Sequence, residues 1–152
     1  MKQLGWSSWH LLNKLKFRIV PENAGIYQIR WAVNGKPQPI SRANGIDKRG
    51  LLYIGSTKNL RRRIRNLWHS IRSGKRGHTV GRTYVTYNYC RKFKLDQLEV
   101  RWATLAENEA QTTESRLLGE YVTKYLDKPP LNISVKRPKA HFTLIGAYSN
   151  RQ

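Results

Sequence analysis

The apolar residues of this chain recur with two different periods, and the places where the period switches limit what it can fold into. Residues 24 to 31 alternate, which puts Tyr27, Ile29 and Trp31 on one face of an extended strand. Residues 51 to 55 read as a second short strand, most simply antiparallel to the first, and 98 to 103 alternate as a third. Elsewhere the period is helical. Leu60, Ile64, Leu67, Trp68 and Ile71 form one apolar stripe across 59 to 73. Residues 106 to 127 read as a long helix stopped by Pro129-Pro130. The pattern is that of a mixed α/β chain rather than an all-helical or all-strand one.

The remaining segments are less regular. Ser7 or Ser8 can cap a helix running to Phe17, so residues 1–19 read as an N-terminal helical extension. Residues 34 to 50 are rich in Gly, Pro, Asn and charge and read as one long loop, whereas 78 to 94 suit helix and strand about equally. Residues 138–152 form a basic, then mildly apolar C-terminal tail, with Phe142, Leu144 and Ile145 as a strand or docking segment. A chain of 152 residues, 39% hydrophobic and with five Trp, has enough apolar surface for one domain with a real core. One cysteine, Cys90, leaves no internal disulfide framework, and four scattered His argue against structural zinc. The N-terminus lacks an apolar signal core, so a cytoplasmic protein is expected.

Charge narrows the partner. There are 29 Lys and Arg against nine acids, for a formal net charge of +20. Such an excess repels itself in a compact chain and suits a polyanion, whose phosphates release counterions when Lys and Arg neutralise them. No long apolar span is present, so DNA is expected ahead of a membrane surface, and with it association with the nucleoid.

Two side chains stand out on the helices. With Ala110 at zero on an ideal helix, Leu117, Tyr121, Tyr125 and Leu118 form an apolar face and Glu114 falls in its middle, at about 40°. A carboxylate there needs compensation by an arginine or by a metal; Mg²⁺ requires only one or two protein carboxylates beside phosphate and water. Arg63 lies within the run Arg61-Arg62-Arg63 with Arg65 beyond, yet sits on the opposite rim of the buried stripe from Arg61 and Arg65. A guanidinium held at such a rim can bind phosphate bidentately. Arg61, Arg62 and Arg65, with Lys58, Arg72, Lys75 and Arg76, read as a solvated basic face able to touch a DNA backbone. Tyr27 and Tyr53, taken singly, are strand aromatics; on two adjacent antiparallel strands their hydroxyls would meet at one surface. Asn132, after Pro129-Pro130-Leu131, reads as a turn residue.

Gly25-Ile26-Tyr27, Tyr53-Ile54-Gly55, Arg63, Glu114 and Asn132, in this order, resemble the GIY-YIG nuclease family across about residues 24 to 137. The resemblance implies a nuclease domain over 20–137, built as a small three-stranded antiparallel sheet flanked by helices. It implies a metal-dependent DNA endonuclease with one Mg²⁺ or Mn²⁺ per active site, held by Glu114. Tyr27 would be general base or water-positioning group, Tyr53 and Arg63 would bind the scissile phosphate, and Asn132 would complete the site. As a base, Tyr27 needs a phenol pKa lowered from about 10, which arginines and a cation favour.

Two features depart from the family. Its His four residues after the arginine is replaced by Leu67, leaving His69, which points elsewhere on the helix, or His78, if its segment folds back. The insertion at 34–50 resembles the spacing of the restriction-endonuclease branch and carries Lys36, Arg42, Lys48 and Arg49 as candidate DNA contacts. A single site cuts one strand, so duplex cleavage would take a homodimer on DNA or sequential nicking; branched DNA is an alternative substrate. The rival reading is a basic nucleic-acid-binding protein without catalysis, with Tyr53, Arg63 and Glu114 in structural roles.

Overall fold

The computed structural model describes residues 3–74 and 78–133. Within them the chain is α+β. Seven strands, β1 (His10–Leu11), β2 (Gly25–Val33), β3 (Lys36–Pro37), β4 (Ile40–Ser41), β5 (Ile46–Asp47), β6 (Leu51–Thr57) and β7 (Leu98–Thr104), combine with three helices, α1 (Leu60–Ser73), α2 (Thr79–Thr86) and α3 (Glu107–Tyr125). The three expected strands form the centre of the sheet. β2 lies between β6 and β7, antiparallel to both, with Tyr27 opposite Gly55 on one side and Trp102 on the other. β1 adds to the outer edge of β7 and β3 folds back on the end of β2, making five strands rather than three.

Alternation along β2 sorts its side chains between two layers. Tyr27 and Ile29 pack into a core with Leu60, Ile64, Leu67 and Ile71 of α1 and Val80 and Tyr84 of α2. Ile26 turns the other way, to Ala103, Tyr121 and Tyr125 on the α3 side. A register shift between Ile29 and Arg30 leaves Leu52 without a partner and moves Leu51 to the α3 layer. Gly25 is required by the closeness of β7: a Cβ there would stand 2.2 Å from the Ala103 carbonyl oxygen.

The helices start and stop for local reasons. The Asn59 side chain accepts from the Arg62 N–H to cap α1, and Gly74 ends it in the left-handed region at φ 65°. The ambiguous stretch after it becomes α2, folded tightly against α1. Ser70 Oγ donates to the His78 carbonyl, and Gly81 sits so close to Ser70 that a Cβ would come within 2.2 Å of that hydroxyl.

Two expectations about the connections are corrected. Residues 8–17 do not form a helix. The Ser7 N–H donates to Trp102 O and the Ser7 Oγ accepts from the Trp102 N–H, His10 and Leu11 pair with β7, and two 3₁₀ turns follow at Leu12–Lys14 and Phe17–Ile19. The open edge of β7 outcompetes a short helix that is marginal by itself. The 34–50 stretch is also not one loop. Asn34-Gly35, at φ 51° and 74°, makes a two-residue hairpin turn into β3. The fully buried Asp47 accepts from the Arg49 and Leu51 N–H groups and so fixes the entry into β6. The C-terminal tail, including Phe142, Leu144 and Ile145, lies outside the described residues. No described helix is long and apolar enough to cross a membrane.

Candidate functional site

Tyr27, Tyr53, Arg63 and His78 meet on the α1–α2 side of the sheet. The two phenol rings lie 5.7 Å apart, and His78, the N-cap residue of α2, packs edge-on to both. Gly55 makes the room: a Cβ there would come within 2.6 Å of the Tyr53 ring. Of the two histidines open from the sequence, His78 therefore joins the tyrosines, and His69 stays exposed on α1.

The hydrogen bonds of His78 assign its protons. Its Nδ1 accepts from the Val80 backbone N–H at 3.1 Å, so the neutral ring carries its proton on Nε2. That Nε2–H donates to the Tyr27 hydroxyl at 2.7 Å. Burial, helped by the charge of Arg63, pushes the imidazole down to about 3, so it is neutral across the physiological range. Tyr27 is fully buried. Its phenol stands well above the ordinary value because burial disfavours the phenolate and Tyr53 repels it; Arg63 opposes the rise without cancelling it. This is the reverse of the lowering that a general base needs. Tyr53 is raised as well, first by burial, but a hydrogen bond from Tyr27 favours its charged form while Glu114 disfavours it. The His78–Tyr27 hydrogen bond and the Tyr27–Tyr53 ring contact thus join the three groups, and the half-buried Tyr53 is the outer member.

Arg63 supplies the charge of this cluster, acting on both phenols and on His78. Among the described residues it enters no ion pair. A half-buried guanidinium without a carboxylate, beside two hydroxyls, is suited to an oxyanion.

Glu114 reaches the same region from α3. It is half-buried rather than buried, because only Ala110, Tyr121 and Tyr125 of that helix are fully covered. Its partner is the Ser56 hydroxyl, which donates to Oε2, and not the arginine weighed as the alternative. No described Lys or Arg pairs with it. Among the described residues no three His, Cys, Asp or Glu cluster as a metal cage. A lone carboxylate with free lone pairs and an adjoining hydroxyl nevertheless suits a hard cation that keeps most of its waters and takes phosphate oxygens. Ser56 was missed in the sequence; only its pairing opposite Ile26, over α3, marks it.

Asn132 is engaged in structure. Its Oδ1 accepts from the Ile54 N–H at 3.0 Å and its Nδ2 donates to the Ile54 carbonyl at 2.8 Å, while the Leu131 N–H bonds to Leu52 O. The amide acts as one residue of a missing neighbouring strand and closes the free edge of β6 next to Tyr53.

The expected DNA contacts divide. Arg61 is tied to Val20 O, Arg18 O and Glu22, and Arg42 to Asp127 and Lys128 O, so both hold the fold together. Lys58 pairs with Glu107 at 2.8 Å, although both ends are exposed. Lys36, Lys48, Arg49, Arg62, Arg65 and Arg72 remain exposed. Lys75 and Arg76 lie outside the described residues.

A cavity of about 590 Å³ lies between residues 3–5 and the start of α3, away from the site residues. Comparison with family models, with curated proteins and with solved structures finds no match to the chain.

Proposed function

We propose that this chain is a GIY-YIG-type, divalent-metal-dependent DNA endonuclease. The observation that carries the reading is the meeting, at one end of β6, of the unpaired Arg63 guanidinium with Tyr27 and Tyr53, and of the unpaired Glu114 carboxylate with Ser56. A cation site beside an anion site is what a phosphodiester with its metal requires.

The roles follow from the hydrogen bonds. Arg63 binds non-bridging phosphate oxygens, and Tyr53 adds a donor from the outer end of the chain of hydroxyls. Tyr27, neutral and buried, packs against the Tyr53 ring and backs it, and His78 holds Tyr27 by donating to its hydroxyl oxygen. In the resting chain Tyr27 therefore orients groups rather than accepting a proton; acting as base would require its phenol to ionise once DNA and cation enter. Glu114 would hold Mg²⁺ or Mn²⁺, with Ser56 fixing the carboxylate. When bound, the ion supplies neutralising charge for the phosphate and the departing oxygen. The exposed basic residues and the net charge of +20 supply backbone affinity. One such site cuts one strand, so duplex breaks need two copies or two successive cuts.

The charge alone equally supports a binding protein without catalysis, and supercoiled plasmid separates the two. With Mg²⁺ or Mn²⁺ the expected result is nicking or linearisation, abolished by EDTA and reduced on the order of 10³-fold by Arg63→Ala. Retention of plasmid in gel shifts without cleavage, on plasmid and then on branched and single-stranded DNA, would favour the binding protein.

A further inference from the structure

The α3 side of the sheet carries a second concentration of positive charge, away from the tyrosines. Arg30 of β2, Arg101 of β7 and Lys48-Arg49 from the turn between β5 and β6 surround a cavity of about 270 Å³, with Trp9 in its wall. No acid lines it. We propose that this cavity is a second phosphate site for the nucleic-acid backbone, gripping DNA on the sheet face opposite Tyr27 and Arg63. The proposal rests on the nuclease reading only in taking DNA as the polyanion.

The arginines are held flat and in place before any ligand arrives. The Arg101 guanidinium lies 4.3 Å from the Trp6 ring centroid and 4.6 Å from that of Trp9, and Arg30 lies 4.3 Å from Trp9. Arg101 donates twice to Gln28 Oε1, at 2.9 and 2.7 Å, which fixes its plane without neutralising it. Arg30 is neutralised by Glu99 at 2.6 Å, and Arg49 only loosely by Asp47 at 3.5 Å. Arg101 and Lys48 enter no described ion pair. Stacking on indole and a hydrogen bond to a neutral amide leave a guanidinium edge available to an oxyanion.

The crowding is costly without an anion. Burial, followed by the charges of Arg30 and Arg49, brings even the Arg101 guanidinium down to about 10. A phosphate between these groups would relieve that repulsion. A free anion would fill one cavity, but the groove continues. A neighbouring hollow of about 250 Å³ shares Gln28, Arg49 and Leu51 and runs to Lys124 of α3; the one acid in its lining, Glu120, is paired with Arg116, so the continuation still suits a repeating backbone.

The test is binding of a short fluorescent duplex by anisotropy across a salt series, in EDTA, so that the result does not depend on whether the chain cuts. Lys48→Gln/Arg49→Gln alters two exposed side chains and should spare the fold. The expected outcome is a slope of log K against log salt reduced by about 2, while Lys14→Gln/Lys16→Gln, an exposed pair of equal charge, leaves it unchanged. Arg101→Lys, which keeps the charge and loses the fork, is expected to weaken binding about tenfold with little change in slope. Equal losses from both double variants would reduce the effect to net charge and overturn the site. So would an unchanged slope in Lys48→Gln/Arg49→Gln.

Discussion

On the α1–α2 side of β2, Tyr27 and His78 are sealed from water and satisfied by each other, whereas on the α3 side Glu114, Arg30 and Arg101 keep part of their surface in solvent. The same strand feeds both sides, since alternate residues point to opposite faces. The dry side resolves its polar groups by neutralising them: burial raises the phenols and lowers the imidazole, leaving Arg63 as the charge. The wetter side keeps its charges and stacks or pairs them. Hydroxyl geometry is thus set where water cannot compete, while the charged groups, Arg63 among them, keep part of their surface in solvent.

That contrast breaks most visibly in acid. The imidazole of His78 has a folded pKa of about 3 against about 6.5 unfolded. The unfolded chain therefore takes up a proton that the folded chain refuses. Stability is full above about 6.5 and falls as pH drops toward 3, by on the order of 5 kcal/mol at the end of that window. Chemical denaturation at a series of pH values should show the fall in wild type and a smaller one in His78→Gln. For the same reason any cleavage activity should show no acidic limb belonging to an imidazole near 6.5.

Next in size is Gly25→Ala. Its Cβ would meet a backbone oxygen that cannot move without parting β2 from β7, at a cost of about 3 kcal/mol, read as a lowered urea midpoint at unchanged slope.

The sharpest comparison uses one isosteric change on each side. Tyr27→Phe strands the His78 Nε2–H in a dry pocket and should cost about 1–3 kcal/mol. Glu114→Gln leaves an amide that water and Ser56 can still satisfy, and stability should stay within about 0.5 kcal/mol. Equal costs in thermal unfolding would mean that the two sides do not differ as described.

The elements were legible wherever periodicity is local. β2, β6, β7, α1 and α3 fall within about two residues of the boundaries set by alternation, caps and prolines, and the stripe of α1 is buried as its spacing requires. What was not legible depends on partners distant in sequence. Ser8 looks like a helix cap until Ser7 is seen to bond with Trp102, 95 residues away. His78 reaches Tyr27 only because Gly81 lets α2 press against Ser70. Asn132 reads as a turn residue because the strand edge it closes lies 78 residues earlier. The positive charge near Tyr27 favours a lowered phenol, but burial, which local sequence does not reveal, outweighs it. Asn34-Gly35 is a local hairpin signal within a stretch whose composition otherwise reads as loop.

The central claim, that the unpaired Glu114 carboxylate serves a cation used in DNA cleavage, is tested most directly by the Mn²⁺-dependent nicking rate of supercoiled plasmid with Glu114→Ala protein, at concentrations where its DNA binding in EDTA equals that of wild type. The expected result is a loss on the order of 10³-fold relative to wild type. A wild-type rate retained to within about tenfold would contradict it.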